Sequence, residues 1–516
     1  MTDLNVILVG PPGAGKTSVG RALAARLGWP FVDVDAAIVA EGGRPIAEIF
    51  RSDGEAVFRS LERDQIRRFA ARGGQVIAPG GGALLDPANR AALERNGVLF
   101  CLRATSEVLL RRVAGSDRPL LQGDPVERLA TLLRDRAPLY DSIVEQVDTS
   151  DLTVSGVAER IQSRLAQRDL TITATGFEHT VALGYGLLNR LDEILGARGL
   201  KWPGVLVCDD VVATQPWLAA LDIPRVVVPS GEQHKTLDTV RLMYARFLEL
   251  DLDRGSVVLA VGGGVIGDMA GFAAATFMRG VRWVNVPTTL LAMVDASLGG
   301  KTGVDLPEGK NLVGAFHPPA LIVSDPLTLQ TLPEAERRAG LAEAIKHGVI
   351  DDPELWRQFV SRPVFAGVEQ LARAIEVKAR VVSQDPYERG RRATLNLGHT
   401  IGHGVEAASE YRLRHGEAIA IGLVAEARLA VALGLATPEL AEALVDTLAR
   451  TGLPVAAPGL DPESIRQAMS SDKKKVTGRL TFALPVAIGD VRWGIEAPEA
   501  LLAAELRRVT QIRAWP

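Results

Sequence analysis

The stretch NVILVGPPGAGKTSVGRALAARLG, residues 5–28, decides how the first part of the chain folds. An apolar run of strand length is followed by GPPGAGKT (10–17) and then by a helical pattern. The middle segment has the G-x-x-x-x-G-K-[ST] spacing of a phosphate-binding loop. Its glycines let backbone N–H groups turn toward phosphate oxygens, and the N-terminus of the next helix adds partial positive charge. The stretch therefore predicts a nucleoside triphosphate site.

Six residues of this loop are the predicted contacts to ATP and Mg²⁺. Lys16 is expected to neutralise the β- and γ-phosphates as a catalytic residue, and Thr17 to hold Mg²⁺. The predicted contacts are Gly13, Ala14, Gly15, Lys16, Thr17 and Ser18. A glycine-rich turn that binds no nucleotide is the alternative, but the position between a predicted strand and a predicted helix argues against it.

Strand and helix patterns alternate up to about residue 167. Further strand patterns are FVDVD (31–35), QVIAPGG (75–81) and GVLFCLRA (97–104). This alternation predicts a parallel sheet covered by helices. SGVAERIQSRLAQ (155–167) predicts a closing amphipathic helix, and a new threonine-rich β pattern follows it. We expect a first domain over residues 1–167.

The second part, residues 168–516, changes character along its length. Strand patterns occur in VLVCDD (205–210), RVVVPSGE (225–232), SVVLAVGGG (256–264) and VRWVNVPTT (281–289). From about Leu332, long helical stretches rich in Ala, Leu, Glu and Arg replace them. We expect an α/β part over 168–330 and a mainly helical part over 331–516.

Composition limits the class of protein. The 516 residues carry 58 Lys and Arg against 62 Asp and Glu, a net charge of −4, so no nucleic-acid surface or anionic membrane is indicated. The two cysteines, Cys101 and Cys208, form no disulfide framework and fit a reducing compartment. No signal-peptide pattern opens the chain, and no stretch approaches the roughly 18 uncharged residues of a membrane helix. We expect a cytoplasmic enzyme with no nucleic-acid and no membrane partner.

Several charged residues in the first part are suited to binding a small polyhydroxylated carboxylate. Asp33 and Asp35 stand at the end of the second predicted strand, where α/β proteins bind ligands. Arginines can pair a carboxylate bidentately, and an aspartate can accept hydrogen bonds from hydroxyls. The other members of the set are Arg59, Gly80–Gly82, Arg118 and Arg136. Each arginine alone would be interpreted as a solvated surface charge, whereas together with the loop they indicate an acceptor site.

The order of motifs in the first part resembles that of shikimate kinases. The segments are GPPGAGKTSVGRALA, FVDVD, IAEIFRSDGEAVFRSLE, APGGGA, RPLL and RAPLY, and the resemblance extends over about residues 4–165. It implies a P-loop kinase fold, with Asp33 ordering Mg²⁺ through water, Asp35 as a catalytic residue and Arg118 as a catalytic residue on a lid over ATP. The implied shikimate contacts are Asp35, Arg59, Gly81, Gly82 and Arg136.

Three of the seven histidines lie in one short stretch of the second part, LNLGHTIGHGVEAASEYRLRHGEA (395–418). His399 and His403 are four residues apart, so on a helix their imidazoles share one face, and His415 follows. Glu343 lies upstream on another predicted helix. Imidazoles with a carboxylate are the ligand set of a divalent metal such as zinc, although an isolated pair of histidines is more often structural. The glycine-rich VGGGVIGD (261–268), which suggests a dinucleotide phosphate site, favours the metal interpretation.

The second part resembles 3-dehydroquinate synthase over about residues 175–500. The matching segments are GGGVIGD, DMAGFAAATFMRG, VPTTLLAMVDASLGGKTGVDLPEGKNLVGAFHPP, GLAEAIKHG, RRATLNLGHTIGHGVE and HGEA. The resemblance implies a Rossmann-like NAD-binding part, and metal ligands Glu343, His399 and His415 for Zn²⁺ or Co²⁺, with His403 as a neighbouring catalytic group. The implied NAD⁺ contacts are Asp209, Glu232, Lys235, Gly263, Gly264, Val265, Asp268, Thr288, Thr289, Lys301 and Lys310.

The same resemblance implies a substrate, 3-deoxy-arabino-heptulosonate 7-phosphate, that is converted to 3-dehydroquinate and phosphate while NAD⁺ is reduced and reoxidised. Asp295, Lys301 and Lys346 are implied catalytic residues, and Arg279 is expected to cross a homodimer interface to the phosphate. The implied substrate contacts are Arg279, Asp295, Lys301, Lys310, Asn311, Lys346, Lys378, Arg392, Asn396 and one of Lys473 and Lys474, with Lys474 preferred.

Three functional hypotheses follow. The first is a bifunctional enzyme of aromatic amino acid biosynthesis, with shikimate kinase followed by 3-dehydroquinate synthase. The second keeps both folds but makes the chain a different small-molecule kinase fused to a metal-dependent polyol dehydrogenase or a cyclitol synthase. The third makes the first part an ATP-sensing regulatory module, which would have no use for the acceptor residues Asp35, Arg59 and Arg136. We favour the first.

Overall fold

The computed structural model describes residues 4–114, 124–174, 177–219, 221–365, 367–473 and 480–511. The chain forms two compact units. Unit 1 comprises Met1–Gln167 with two short segments, Gly184–Asn189 and Ala366–Val368. Unit 2 comprises Arg168–Leu183, Arg190–Phe365 and Glu369–Pro516. Over the described residues, no helix has both the length and the apolar character needed to cross a bilayer.

Unit 1 is an α/β unit built on a parallel sheet. Its described strands are β1 (Asn5–Val9), β2 (Phe31–Asp33), β3 (Val76–Ala78), β4 (Gly97–Arg103) and β5 (Glu145–Asp148), in the order β2-β3-β1-β4-β5. Its described helices are α1 (Lys16–Leu27), α2 (Val34–Gly42), α3 (Ile46–Ser52), α4 (Glu55–Ala70), α5 (Pro87–Arg95), α6 (Ser106–Val113), α7 (Pro125–Asp141) and α8 (Val154–Leu165). All pairings in this sheet are parallel, which confirms the predicted class. Because β1 is the central strand and fully buried, the loop after it lies at the middle of the carboxyl edge.

Unit 2 combines a larger sheet with a helical region. The described strands are β6 (Arg168–Ala174), β7 (Phe177–Leu183), β8 (Val205–Asp209), β9 (Arg225–Val228), β10 (Val257–Gly262), β11 (Arg282–Pro287), β12 (Lys301–Leu306), β13 (Gly309–Phe316), β14 (Leu321–Ser324), β15 (Phe482–Ala487) and β16 (Asp490–Ile495). The large sheet has the order β6-β7-β14-β11-β10-β8-β9 and is parallel except for the β6–β7 pair. β12–β13 and β15–β16 are antiparallel hairpins.

The helices of unit 2 are concentrated after residue 333, as predicted for a mainly helical part. The described helices are α9 (Leu191–Gly196), α10 (Asp210–Ala213), α11 (Leu237–Glu249), α12 (Gly264–Thr276), α13 (Glu334–Asp351), α14 (Pro353–Ser361), α15 (Val368–Gln384), α16 (His399–Ala408), α17 (His415–Ala432), α18 (Pro438–Arg450), α19 (Pro462–Lys473) and α20 (Glu499–Gln511). The fully buried strand β10 leads directly into α12, which is the strand-to-helix step of a dinucleotide fold.

One local prediction is wrong. FVDVD was expected to be extended throughout, but β2 ends at Asp33 and Asp35 lies in the first turn of α2. The reason is a helix cap: the Asp33 carboxylate accepts a hydrogen bond from the backbone N–H of Ala36 at 3.2 Å. Both carboxylates still lie at the carboxyl edge of the sheet, but on a strand end and a helix start.

Close packing of α16 against α17 positions the histidines of the second part. A Cβ built on Gly422 would lie 1.9 Å from the carbonyl oxygen of Gly398, so a glycine is needed at this crossing. Glu426, also on α17 and fully buried, accepts hydrogen bonds from the backbone N–H groups of Gly398 and Ile401 at 2.5 and 3.1 Å. The start of α16, where His399 stands, is therefore tied to α17.

We expect Gly422→Ala to destabilise unit 2, because the added methyl group would overlap the Gly398 carbonyl. Overpacking of this kind costs about 1–3 kcal/mol. Urea unfolding followed by far-UV circular dichroism measures it. Gly196→Ala is the matched control, since a Cβ built there meets no described atom within 4 Å. Equal unfolding midpoints for the two variants would contradict the packing argument.

Candidate active sites

The loop after β1 has the backbone of a phosphate-binding loop. Gly10, Gly13 and Gly15 have φ values of 142°, 84° and 97°, which L-residues with side chains rarely adopt. A Cβ on Gly10 would also lie 2.4 Å from the carbonyl oxygen of Leu102. α1 begins at Lys16, directly after the loop. The loop and the start of α1 thus present backbone N–H groups suited to phosphate oxygens.

The side chains beside this loop fit a magnesium nucleotide. The Lys16 ammonium donates to the carbonyl oxygens of Gly10 and Pro11 at 2.7 and 3.3 Å, so the charge lies over the loop. The Thr17 hydroxyl donates to Asp33 Oδ2 at 3.1 Å. A hydroxyl next to a carboxylate is an oxygen donor set that Mg²⁺ prefers.

The predicted acceptor residues surround the triple glycine of unit 1. A Cβ on Gly80 would lie 2.7 Å from Asp35 Oδ1, one on Gly81 would lie 3.2 Å from Arg136 Nη1, and one on Gly82 would lie 3.1 Å from Arg59 Nη2. Side chains at these positions would therefore fill the space between the three charged groups. The structure brings Asp35, Arg59, Gly80–Gly82 and Arg136 close together. Arg118 lies outside the described residues.

Sequence reasoning missed Glu62, which holds Arg59. Its side chain is 1 % exposed, and its Oε2 lies 2.8 Å from Arg59 Nη1. Burial raises the pKa of Glu62, and the Arg59 guanidinium opposes that rise. The signal available in the sequence was that Glu62 follows Arg59 by three residues on α4, which places the two side chains on one face of the helix.

The strand-to-helix step at β10–α12 leaves room for a dinucleotide backbone. A Cβ on Gly263 would lie 3.3 Å from the Thr289 side chain, and one on Gly264 would lie 3.1 Å from Ala296. A side chain at either glycine would thus crowd the start of α12. Thr288 is buried and Val265 is the second residue of α12. The backbone N–H groups at the start of this helix, in half-buried residues, fit a phosphate.

Ion pairs connect four other predicted NAD⁺ contacts, which are Glu232, Lys235, Asp268 and Lys310. The Lys235 ammonium is buried and lies 2.7 Å from both Asp268 Oδ2 and Asn311 Oδ1. Burial raises the pKa of Asp268 despite this pairing. Glu232 Oε1 lies 3.9 Å from Lys235 Nζ and 3.8 Å from Lys310 Nζ. Asp209 instead caps α10, accepting from the N–H of Val212 at 2.7 Å.

Glu343, His399 and His415 place three possible metal-ligand atoms close together. Glu343 is fully buried, and its Oε1, which accepts no hydrogen bond from the described residues, lies 3.7 Å from His399 Nε2 and 3.8 Å from His415 Nε2. His399 Nδ1 lies 3.1 Å from the Leu397 carbonyl, and donation there leaves Nε2 as the ligand atom. Burial lowers the pKa of His399 well below its usual value, which favours the neutral ligand form. These donors fit a divalent metal.

His403 lies close to the same point. Its ring centroid is 5.1 Å from that of His399 and 5.7 Å from that of His415, and all three histidines are near enough to share one ion. His403 is also exposed, unlike the half-buried pair. Its predicted role beside the ligands, and not as one of them, remains a prediction.

A cavity of about 600 Å³ adjoins this cluster. Nine of the predicted residues line it: Asp268, Asp295, Lys301, Asn311, Lys346, Lys378, Arg392, Asn396 and His399. Lys378 Nζ donates to Asp295 Oδ1 at 2.7 Å, and although burial opposes ionisation, this ammonium lowers the pKa of Asp295 well below its usual value. Lys346 Nζ donates to the Leu395 carbonyl at 2.9 Å and forms an ion pair with Glu343. Four cationic side chains make the cavity suitable for an anionic substrate.

Three residues that the sequence did not single out also contribute. Glu388 lines the cavity and pairs with Lys301 at 2.5 Å. His347, fully buried, places Nε2 at 3.8 Å from Asp295 Oδ1. Glu406 contacts both His415 and Lys310, and although burial opposes ionisation, these partners lower its pKa to about 2. The only available signals were helical spacings: His347 lies four residues after Glu343, and Glu406 seven after His399.

Two of the predicted substrate contacts among the described residues, Arg279 and Lys310, are absent from the cavity lining. Arg279 has a φ of 67° at the end of a short helical turn and is absent from the described cavity lining. Lys474 lies outside the described residues, and Lys473 is the last residue of α19.

Models of known families match both parts of the chain. The family model for the N-terminal part of 3-dehydroquinate synthase matches residues 225–339, the model for its C-terminal part matches 340–475, and the shikimate kinase model matches 12–166. A 3-dehydroquinate synthase of Synechococcus is 49 % identical over 295 residues, covering 55 % of this chain and 80 % of that protein.

Solved structures extend the comparison. A 2-deoxy-scyllo-inosose synthase complexed with carbaglucose-6-phosphate, NAD⁺ and Co²⁺ is 26 % identical and superposes with a TM-score of 0.60, covering 67 % of this chain and all of that one. A 2-epi-5-epi-valiolone synthase of Streptomyces hygroscopicus with NAD⁺ and Zn²⁺ bound is 29 % identical, with a TM-score of 0.59 over 66 % and 99 % of the two chains. With the synthase models matching most of its second part, and a shikimate kinase domain preceding them, the chain belongs to the 3-dehydroquinate synthase family.

Proposed function

We propose that the chain is a bifunctional enzyme of the shikimate pathway. One site phosphorylates shikimate with ATP, and the other converts 3-deoxy-arabino-heptulosonate 7-phosphate to 3-dehydroquinate and phosphate with NAD⁺ and one divalent metal. The observation that best supports this proposal is the cationic cavity beside Glu343, His399 and His415. There, a set of possible metal ligands lies next to a pocket suited to an anion. We assign the kinase to residues 1–167 and the synthase to 168–516, the latter with an NAD-binding part over 168–330 and a metal-binding part over 331–516.

In the kinase site, positioning carries most of the chemistry. The loop residues Gly13 to Ser18 would hold the ATP phosphates, with Thr17 and Asp33 toward Mg²⁺. When bound, Mg²⁺ neutralises charge on the transferred phosphoryl group. Arg59 and Arg136 would pair the shikimate carboxylate, and Asp35 would accept the proton of the attacking hydroxyl. The gathering of these groups around the triple glycine supports this assignment.

In the synthase site, charged side chains would hold one conformer of the substrate. The metal polarises substrate oxygens when bound, and NAD⁺ accepts and returns a hydride. Lys301, Lys346, Lys378 and Arg392 would pair the carboxylate and phosphate of the substrate. Asp295, kept ionised beside Lys378, would accept hydrogen bonds from its hydroxyls. Such orientation is where intramolecular ring closure gains most of its rate.

The other hypotheses receive less support. The solved relatives described above are named as synthases of other compounds, and at 26–29 % identity they are more distant than the 49 % relative that carries the 3-dehydroquinate synthase name. A polyol dehydrogenase would have no use for a pocket with four cationic side chains. An ATP sensor would have no use for the acceptor residues around Gly80–Gly82.

We further propose a cytoplasmic homodimer formed through the synthase part. The supporting feature is the left-handed backbone at Met278 and Arg279, with φ values of 50° and 67°, which displays Arg279 on a strained turn. In this arrangement Arg279 would reach the substrate phosphate of the second copy. Small molecules are the expected partners of both sites.

We expect Lys16→Ala to abolish phosphorylation of shikimate and leave the synthase reaction intact, because Lys16 stabilises charge on the transferred phosphoryl group. A coupled assay for ADP and an assay for phosphate release measure the two activities on one preparation. Arg21→Ala, exposed on the same helix, is the matched control and should retain both activities. Loss of both activities in a folded Lys16→Ala protein would contradict two independent sites.

We expect His415→Ala to lose tightly bound metal and nearly all synthase activity, since one of three protein ligands is removed. His403→Ala should retain the metal but turn over poorly, because loss of a group beside a metal site typically costs about 10–100-fold. Metal content by mass spectrometry, together with phosphate release, distinguishes the two. Equal metal loss would make His403 a ligand.

We expect catalytic amounts of NAD⁺ to support many equivalents of phosphate release without accumulation of free NADH. The physical reason is that the charged residues lining the cavity would retain the oxidised substrate, so that a bound cofactor could be regenerated within each turnover. Absorbance at the NADH band and an inorganic phosphate assay, run together with and without chelator, measure this. One NADH released per substrate, without phosphate, would instead indicate a polyol dehydrogenase.

A further inference from the structure

A single carboxylate connects the metal cluster to a cationic residue of the neighbouring hairpin. Glu406, near the end of α16, has a side chain only 10 % exposed. Its Oε2 lies 3.1 Å from His415 Nδ1, and its Oε1 lies 3.0 Å from Lys310 Nζ. Lys310 belongs to β13, whereas His415 begins α17. The two oxygens therefore serve two different elements.

We propose that Glu406 is a positioning residue with two contacts. It orients His415 toward the metal, and it holds the ammonium of Lys310 next to its own carboxylate. The inference rests on the proposed function in one respect, the assignment of His415 as a metal ligand. It goes beyond that function by giving Glu406 a defined task.

On the histidine side, the contact selects a tautomer. An ionised carboxylate only accepts hydrogen bonds, so Nδ1 of His415 must carry the proton. Nε2 is then left with its lone pair, and it is Nε2 that lies 3.8 Å from Glu343 Oε1. A carboxylate behind a ligating histidine both fixes the ring and increases its basicity.

On the lysine side, Glu406 is the nearest of three contacts that hold Lys310. Lys310 Nζ also lies 3.8 Å from Glu232 Oε1 and 4.4 Å from the centre of the Tyr411 ring. The ring face attracts the ammonium as well. Glu406 is thus placed between two donors, the imidazole N–H of His415 and the ammonium of Lys310.

This arrangement requires a carboxylate and not its amide. A glutamine offers one acceptor oxygen and one NH₂ donor, so it can satisfy only one of two donor partners. In Glu406→Gln, the ammonium of Lys310 should win the amide oxygen, and the NH₂ group would then face His415. That conflict favours the wrong tautomer of the metal ligand.

The first experiment measures Co²⁺ binding to the metal-free full-length protein, by competition with a chromophoric chelator and by the visible Co²⁺ spectrum. We expect Glu406→Gln to raise the dissociation constant about 10–100-fold and to alter the spectrum. Glu410→Gln is the matched control, because Glu410 is exposed and two residues beyond the end of α16, and should change the constant less than about twofold. Equal constants for the two variants overturn the proposal. Circular dichroism ensures that folded proteins are compared.

The second experiment tests the bridge itself with Lys310→Met. Removing the competing ammonium lets the glutamine oxygen accept from His415, so Glu406→Gln/Lys310→Met should bind Co²⁺ more tightly than Glu406→Gln alone. We expect the Co²⁺ dissociation constant of the double variant to be about tenfold lower than that of Glu406→Gln, a coupling of the size measured between side chains in contact. A double variant that binds as weakly as Glu406→Gln, or more weakly, overturns the bridge.

Both experiments use metal alone, without substrate. If phosphate release from the heptulosonate phosphate is absent while the Co²⁺ results are as expected, the proposed function fails and the role of Glu406 stands. If phosphate release occurs and the variants bind Co²⁺ equally, the proposed function stands and the role of Glu406 fails.

Discussion

The buried carboxylate of Glu343 is the constraint on which the synthase site depends. A fully buried charge is costly unless other groups compensate it, and removing one partner of a buried pair typically costs about 3–5 kcal/mol. Around Glu343 the chain supplies the ammonium of Lys346 on the same helix and two imidazoles, His399 and His415, from α16 and α17. The ammonium compensates the buried charge, while the carboxylate and the two imidazoles are the groups that can hold a divalent ion. Stability and chemistry therefore impose one geometry.

That geometry requires α16 and α17 to approach closely. Gly422 makes the approach possible, and the fully buried Glu426 uses its carboxylate to satisfy the backbone N–H groups at the start of α16. Those N–H groups would otherwise lack partners, because the first turn of a helix has no intrahelical acceptors for them. The start of α16 is thus held in place by these contacts. Because the first residue of α16 is the predicted metal ligand His399, the position of that ligand is restrained as well.

Unit 1 uses backbone shape in the same way. Gly80–Gly82 carry no side chains, and the space that side chains would fill is where the charged groups of Asp35, Arg59 and Arg136 converge. Glu62 restrains one of these arginines from a buried position. In unit 1, glycines leave space for charged side chains, and the buried carboxylate of Glu62 holds Arg59. In unit 2, the buried carboxylate of Glu343 holds Lys346 in the same way.

Much of this could be predicted from sequence, because it depends on local pattern. The strand-loop-helix step at residues 5–28 requires glycines at particular spacings, and hydrophobic periodicity distinguishes strands from helices. The ligand types at Glu343, His399 and His415 follow from residue chemistry together with a family resemblance. Even locally, a competing interaction made one prediction wrong, since the Asp33 cap ends β2 and starts α2 at Val34, so that Asp35 lies on the helix.

Residues far apart in sequence were brought together only by the tertiary structure. Glu406 and Lys310 are 96 residues apart, and Lys378 and Asp295 are 83 apart, yet each pair is in contact. His347 and Glu388 were missed for the same reason, because their partners Asp295 and Lys301 lie far away in the sequence. Glu62 is three residues from Arg59 and was missed because a carboxylate on a helix has no distinctive pattern until its partner is known. The amino-acid sequence by itself determined the α/β class and the types of group available for chemistry, because these depend on periodicity and residue type. The pairing of those groups was decided by packing, since hydrogen bonds and ion pairs act only within a few ångströms, whatever the separation along the chain.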